Sequence, residues 1–418
     1  MSMAQPGHVI IGNGAAAVEA CRGMRAGGFT GPIDVFAAGR LPVYNPMLTT
    51  YYAAGKIDYP LLFPYGDSND VFEKYQATLH ADSPVTALSV KKREITANGR
   101  RFAFDKCLIA SGASAVVPPL PGAASPRVFT MRTVEDAVDV KAALEKGVQR
   151  ALVVGASMVG IKLVELFWKA GLRVDLADMA DRIFPLAATP DCARRIERRL
   201  AEKGIGLKFS AVLERLEDAD TGIRAYFAGE ATPLEADLVL MAVGVRPNLE
   251  FVDRSEIELR QGVLVDARME SSAPGIYAAG DVAQGMNLQS GERQIIGLWA
   301  SARNQGFTAG CNMAGLSREY AGEVLHNITR FMGMDFVGVG DVLGMDEYRV
   351  VDGDRGGSHI LYKNGVVCGA NFLDCSSEAG IFKNAFVKQF MGRRIPENPA
   401  DAPGYGHMLL RVFRLETQ

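Results

Sequence analysis

The sequence predicts an α/β chain with two parallel-sheet domains and an α+β domain at its C-terminal end. Three observations predict it. The segment HVIIGNGAAAVEACRGMRAGG, residues 8–28, runs from an apolar strand through a glycine turn into a helix. The segment RALVVGASMVGIKLVELFWKAGLRVDLADM, residues 150–179, repeats that design and adds a second strand. From about Tyr320 onward the pattern becomes mixed strands and helices without such turns. Residues 1–118 and 247–319 are therefore read as one discontinuous domain, 119–246 as a second and 320–418 as a third.

In the first unit the strand His8 to Ile11 leads into Gly12 and Gly14. Gly12 permits the tight turn and Gly14 lets the backbone approach a pyrophosphate. Ala15, Ala16 and Ala17 open the helix, and Ala17 lets it pack closely on the strand. The N–H groups and partial positive charge at the helix start favour phosphate. In the second unit Gly155 and Gly160 hold the outer glycine places and Ser157 the middle one, where its hydroxyl is available to a pyrophosphate. The following strand ends at Asp178, about 20 residues past the turn, where a carboxylate accepts from an adenosine ribose and repels a 2′-phosphate. NADH rather than NADPH is expected. Both units read as Rossmann-like nucleotide-binding domains.

The remaining segments continue the strand-and-turn design. KCLIASGASAVVPPLPG is a buried strand ending at Ser111-Gly112-Ala113, followed by a proline-rich crossover. ADLVLMAVGVRPNLEFV is a buried strand ending at Gly244, and APGIYAAGDVAQG places Gly280 and Asp281 at the end of a short strand, ahead of a helix.

Composition sets limits on what such a chain does. A net charge of −3 without a basic stripe argues against nucleic acid as the main partner. The apolar runs are too short and glycine-broken to span a bilayer, and the N-terminal stretch enters a strand without a signal-peptide pattern, so a cytoplasmic protein is expected. The six cysteines and five histidines are scattered, with no CxxC. Reduced, buried thiols are expected, and no iron–sulfur or zinc site within the chain.

Taken in order, VIIGNGAAAVEA, LIASGASAVVPPLPG, LVVGASMVGIKLVELFWKAG, LVLMAVGVRPN and PGIYAAGDVA resemble the FAD-dependent pyridine nucleotide oxidoreductases. The resemblance covers about the first 320 residues, two to three domains' worth. It implies FAD held by Gly12, Gly14, Ala15, Ala16 and Ala17, lined by Ser111 and Gly112, and contacted at the ribityl chain by Gly280 and Asp281. It implies NAD(H) held by Gly155, Ser157, Met158, Val159, Gly160, Asp178 and Gly244. The segment VYNPMLTTYYAAGKI, Val43 to Ile57, would pack at the flavin through Tyr44, Asn45 and Pro46, with Trp299 as a shield for the ring.

Departures from the family sharpen the expectation. Disulfide reductases and many NADH oxidases carry a redox cysteine where this chain has Leu48, Thr49 and Thr50, and thiol chemistry needs a thiolate in reach. Gly39 or a neighbour stands where the second strand should end in an acid for the FAD ribose. Lys162 replaces a glutamate near the nicotinamide, with Glu165 one helical turn away as the candidate to compensate. The chain most resembles FAD subunits of anaerobic iron–sulfur oxidoreductase complexes such as phenylglyoxylate dehydrogenase or tungsten aldehyde oxidoreductase. That resemblance implies electron exchange between NAD(H) and an iron–sulfur protein or subunit in a hetero-oligomer. A free-standing NADH:ferredoxin or rubredoxin reductase is the second reading, and an FAD/NADH-binding sensor or scaffold the third. The helix around Arg194, Arg195, Arg198 and Arg199 reads mainly as a solvated face.

Overall fold

Short runs of apolar residues between glycine turns become parallel strands, because strands covered on both faces need apolar side chains on both. The computed structural model describes residues 7–352 and 357–390. In chain order its principal elements are β1 (His8–Ile11), α1 (Ala15–Ala26), β2 (Ile33–Phe36), β3 (Ala77–His80) and β4 (Cys107–Ile109). Then come β5 (Arg150–Val154), α2 (Met158–Lys169), β6 (Arg173–Ala177), α3 (Pro190–Glu202), β7 (Gly206–Lys208) and β8 (Leu238–Met241). The chain continues through β9 (Ile276–Ala278) and α4 (Trp299–Met313). It closes with β10 (His326–Phe331), β11 (Met334–Gly340), β12 (Glu347–Asp352), β13 (Gly357–Lys363), β14 (Val366–Leu373) and α5 (Ser376–Phe390). Two compact units result, one joining the chain up to Ser114 with Val245–Glu323, the other joining Ala115–Gly244 with the chain from Val324.

The first unit centres on a parallel sheet in the order β9-β4-β1-β2-β3. Ile10 pairs in register with Val35 on one side and Leu108 on the other, and all three are fully buried. Helices α1 and α4 pack at very close range. A Cβ added to Gly306 would stand 2.2 Å from the Ala16 carbonyl oxygen, and one on Gly310 2.1 Å from that of Ala20. Only glycine allows that approach. The C-terminal end of α4 is capped from the sheet side: Lys106 Nζ donates to the Met313 carbonyl (2.7 Å) and His8 Nε2 lies 3.0 Å from the same oxygen. Burial pushes the His8 imidazole below its ordinary range, so the contact is one of a neutral ring.

The second unit carries two five-stranded sheets, beside a smaller antiparallel one within residues 213–236. The first is parallel, in the order β7-β6-β5-β8 with the short strand Val128–Phe129 at its edge. The second is antiparallel, in the order β10-β11-β14-β13-β12, with α5 packed against it through Phe382 and Phe386. A buried polar knot belongs to this unit. Asn371 accepts from the Thr189 N–H (2.7 Å) and donates to the Ala187 carbonyl (2.7 Å), while the Thr189 hydroxyl meets His359 Nδ1 at 2.7 Å. Thr189 also caps α3 by accepting from Cys192 N–H, with Pro190 at the first helical place. The arrangement is α/β, with two Rossmann-like sheets and an α+β C-terminal portion. The predicted third domain extends at 391–418 beyond the described residues.

The helix expected after Asp281 is reached through a hairpin. Ala283–Met286 and Arg293–Gln294 first form an antiparallel pair, with Gly291 in the left-handed region at the turn (φ 71°), and α4 begins only at Trp299.

Candidate functional site

The first glycine turn is set by sterics. Gly12 sits at φ 106°, and a Cβ there would lie 2.2 Å from the Ala110 carbonyl oxygen. Its N–H donates to Phe36 O (2.8 Å), which places the turn at the C-terminal end of β2. Gly14 is the N-cap of α1 with no side-chain cap bond, and a Cβ on it would meet nothing within 4 Å. The front of α1 is thus open, with no side chain of its own claiming the first-turn N–H groups. Ala15, Ala16 and Ala17 are buried behind it.

Gly280 closes the same corner. At φ 83°, its added Cβ would lie 3.6 Å from Ala16 Cβ and 3.7 Å from Ala302 Cβ, so α1, α4 and the end of β9 converge there. Its N–H donates to Gln305 Oε1 (2.9 Å), a side chain 2% exposed on α4. Asp281 follows, half-buried. On the next strand the Ser111 hydroxyl donates to Asn248 O (2.7 Å), and Asn248 N–H donates to Gly112 O (3.0 Å), which locks the Ser111-Gly112 turn. These predicted residues are brought together along the C-terminal edge of β2-β1-β4-β9. An uncapped helix start facing a side-chain-free turn fits the pyrophosphate of FAD.

Trp299 heads α4, half-buried, with its ring 6.3 Å from that of Tyr65. Beneath them lies a network that sequence reasoning missed. Glu19 on α1, its side chain 3% exposed, accepts from Arg303 Nε (2.8 Å), Arg22 Nε (2.6 Å) and the Tyr65 hydroxyl (3.1 Å). Burial works to raise the Glu19 carboxyl, but the hydrogen bonds from Arg303 and Arg22 outweigh it and hold the group below the usual glutamate range. Burial, and then the neighbouring Glu19 charge, push the Tyr65 phenol up to about 12. Only a Glu-x-x-Arg spacing on α1 hinted at this, since its other members are remote in sequence.

In the segment predicted to lie at the flavin, Pro46–Leu48 forms a single 3-10 turn and Thr49–Ala53 a short helix. Asn45 caps the turn by accepting from Met47 N–H (3.0 Å), and its own N–H donates to Leu62 O (2.9 Å). Tyr44 is half-buried; Thr49 is fully buried, with its hydroxyl donating to Pro46 O (2.7 Å). All six cysteines are free. Burial raises their thiols, to about 12 for Cys21 and Cys192 and to about 11 for Cys368 and Cys375.

The second glycine turn repeats the logic. Gly155 sits at φ 113°, its added Cβ 2.4 Å from Ala242 O, and a Cβ on Gly160 would lie 1.9 Å from Gly155 O. Ser157 is the N-cap of α2: its hydroxyl accepts from Gly160 N–H (3.2 Å) and donates to Ala242 O (3.0 Å). In this arrangement the hydroxyl proton goes to Ala242 O. Met158 and Val159 follow on the first turn of α2, Val159 exposed. Asp178 Oδ2 accepts from Ala156 N–H (2.6 Å) and Oδ1 from Ala180 N–H (2.8 Å). The carboxylate is thereby anchored over the turn, with lone pairs to spare for a ribose hydroxyl. Gly244 is exposed at φ 118°, just past the Ala242-Val243 backbone that Gly155 abuts. Lys162 Nζ donates to Arg330 O. Glu165 is buried and accepts from Lys169 Nζ (2.9 Å) and Met332 N–H (3.1 Å), which ties α2 to the start of the C-terminal sheet. On α3, Arg194 and Arg199 pair with Asp191 and Asp374.

No helix among the described residues is long and apolar enough to cross a membrane, and none of their side chains group as a metal site. Residues 6–306 match the pyridine nucleotide-disulphide oxidoreductase family. The chain is 31% identical over 336 residues, 80% of its length and 79% of the relative's, to the NADH-dependent phenylglyoxylate dehydrogenase subunit epsilon of Aromatoleum evansii. It is 30% identical over 279 residues, 66% of its length and 72% of the relative's, to the nitric oxide reductase FlRd-NAD(+) reductase of Escherichia coli (strain K12). The structure superposes on the water-forming NADH oxidase from Lactobacillus brevis with a TM-score of 0.88 at 20% identity, covering 99% of this chain and 98% of that one. With two sterically enforced glycine turns, an open helix start and an anchored strand-end carboxylate already in place, the chain belongs to the pyridine nucleotide-disulphide oxidoreductase family and is an NAD-dependent FAD oxidoreductase.

Proposed function

We propose that this chain is the FAD-containing subunit of a hetero-oligomeric oxidoreductase that exchanges electrons between NAD(H) and an iron–sulfur protein or subunit, in the direction of NAD+ reduction. The carrying observation is the segment 43–57. Thr49, buried within it, is closed onto Pro46 O, and no cysteine stands in it. A disulfide relay needs a thiolate there. Bound FAD would supply the chemistry, exchanging single electrons with the iron–sulfur side and a hydride with the nicotinamide. The chain's own residues bind and orient. Gly12, Gly14 and the start of α1 take the FAD pyrophosphate, Gly280 and Asp281 the ribityl side, and Ser111 and Gly112 the wall. Tyr44, Asn45, Pro46 and Trp299 border the ring and exclude water from it. Gly155, the α2 start at Ser157, Met158 and Val159, Gly160, Asp178 and Gly244 hold NAD(H), with Asp178 selecting against a 2′-phosphate. We assign FAD to 1–118 and 247–319, NAD(H) to 119–246 and the partner interface to 320–418.

The relative that is a subunit of a dehydrogenase supports this reading. The relative named as a FlRd-NAD(+) reductase favours the alternative, a free-standing reductase of a small iron-containing electron carrier. An anaerobic titration with NADH and then NADPH, following loss of the flavin's visible band, tests the shared part. Bleaching by NADH with NADPH ineffective is expected, and flavin indifferent to both nucleotides overturns the proposal. Size exclusion of the native protein with iron analysis separates the readings. A large iron-containing assembly is expected, and a lone flavoprotein supports the alternative.

A further inference from the structure

The FAD site proposed above leaves one requirement unmet at the end of β2. Dinucleotide ribose hydroxyls call for a carboxylate there. The chain has Gly39, where an added Cβ would meet nothing within 4 Å.

Hydrogen bonds define what surrounds that place. The glycine turn reaches it from one side: Gly12 N–H donates to Phe36 O (2.8 Å), and Asn13 Nδ2 donates to Leu41 O (3.0 Å). The segment 37–41 is thereby strapped to the pyrophosphate turn at both ends. From the other side comes the loop after β3. Ala37 N–H donates to His80 O (3.0 Å), Ser83 N–H to Ala37 O (2.7 Å) and Asp82 N–H to Gly39 O (3.3 Å). Asp82 therefore stands beside Gly39 on the same edge of the sheet. Asn98 Nδ2 pins this loop by donating to Asp82 O (2.9 Å), and Asn69 Nδ2 pins the opposite one by donating to Arg40 O (3.2 Å). The Asp82 carboxylate is held by Arg40 Nε and is partly open to solvent. A carboxylate has about four acceptor positions, more than one guanidinium nitrogen fills.

We propose that Asp82, presented from the loop after β3, accepts from the adenosine ribose hydroxyls of FAD in place of an acid at Gly39, and that Arg40 orients its carboxylate for that role. The inference rests on the placement of the FAD pyrophosphate at Gly12 and Gly14.

The test uses the full chain stripped of flavin, titrated with FAD and, as a probe lacking adenosine, with FMN, by quenching of flavin fluorescence. Asp82→Asn preserves shape and tolerates the residue's positive φ (48°). It should weaken FAD about tenfold, the loss of one charged hydrogen-bond acceptor, and leave FMN unchanged. Adding Gly39→Asp to that variant should recover most of the loss. FAD binding at wild-type strength in Asp82→Asn, or equal weakening of FAD and FMN, overturns the role of Asp82. Gly14→Val is the control for the site itself, because a side chain there has room in the protein and obstructs only a bound pyrophosphate. If FAD binding survives Gly14→Val as well, the placement of FAD falls, and the assignment of Asp82 falls with it.

Discussion

Asp178 combines two tasks in one side chain, since the same carboxylate that would meet a ribose also fixes the turn through Ala156 and Ala180 N–H. Asp178→Asn keeps one acceptor oxygen, loses the charge and puts an amide against a backbone N–H. A KM for NADH raised about tenfold, with a narrowed preference over NADPH, is the expected result of steady-state assays. Gly155→Ala meets both a left-handed φ and a carbonyl at 2.4 Å. It should cost about 1–3 kcal/mol in thermal unfolding and abolish NADH-driven bleaching while flavin stays bound. Glu19 gives a pH signature. Its folded carboxyl is held below the ordinary value, so the stability it contributes is complete above the usual glutamate range of about 4.3 and is lost as pH falls below it. Melting temperatures measured from neutral pH into that acid range should fall more steeply for the wild type than for Glu19→Gln. Gly12 and Gly155 were legible in the sequence because a backbone at positive φ pressed on a carbonyl admits almost nothing else, and Asp178 because it ends the strand that follows the second turn. Gln305, Tyr65 and Arg303 were not, because each acts on a partner far away in sequence, and no local pattern marks a residue whose role is defined by another element.

At the scale of elements, the α1 and α4 pair deserves the closest comparison with its sequence. The first helix was read from its glycine turn and its run of alanines. The second was expected after Asp281, and the hairpin of Ala283–Met286 with Arg293–Gln294, which the sequence did not announce, intervenes. That hairpin is short and rich in polar residues, so its strands lack the apolar alternation that announces a sheet. The contact between the helices is made by what is missing. Gly306 and Gly310 receive the Ala16 and Ala20 backbone where any larger residue would push α4 away. Gly306→Val should destabilise the unit by about 1–3 kcal/mol and release flavin, read as a lowered ratio of visible to ultraviolet absorbance after purification. Gln305→Leu tests the same junction more gently. It leaves the half-buried Gly280 N–H without its acceptor, a loss of about 1–3 kcal/mol, and should weaken flavin binding without changing the helical content.

For the whole molecule, the division into two units does not follow the order of the chain. One unit is assembled from two distant stretches around the β2-β1-β4-β9 edge, and the other joins the second glycine turn to the antiparallel C-terminal sheet. Within APGIYAAGDVAQG the strand Ile276–Ala278 pairs with Cys107–Ile109 and so joins the sheet begun at the front of the chain. The thiols have a further consequence. Every cysteine is free and carries a raised pKa, so at neutral pH very little sulfur is ionised. Reagents that attack thiolates, such as iodoacetamide, arsenicals and electrophilic drugs, should leave its flavin-linked turnover intact at doses that silence enzymes of the same fold built around a sulfur relay. The chain is in that sense a member of a thiol-reactive lineage with no handle for thiol-directed poisons.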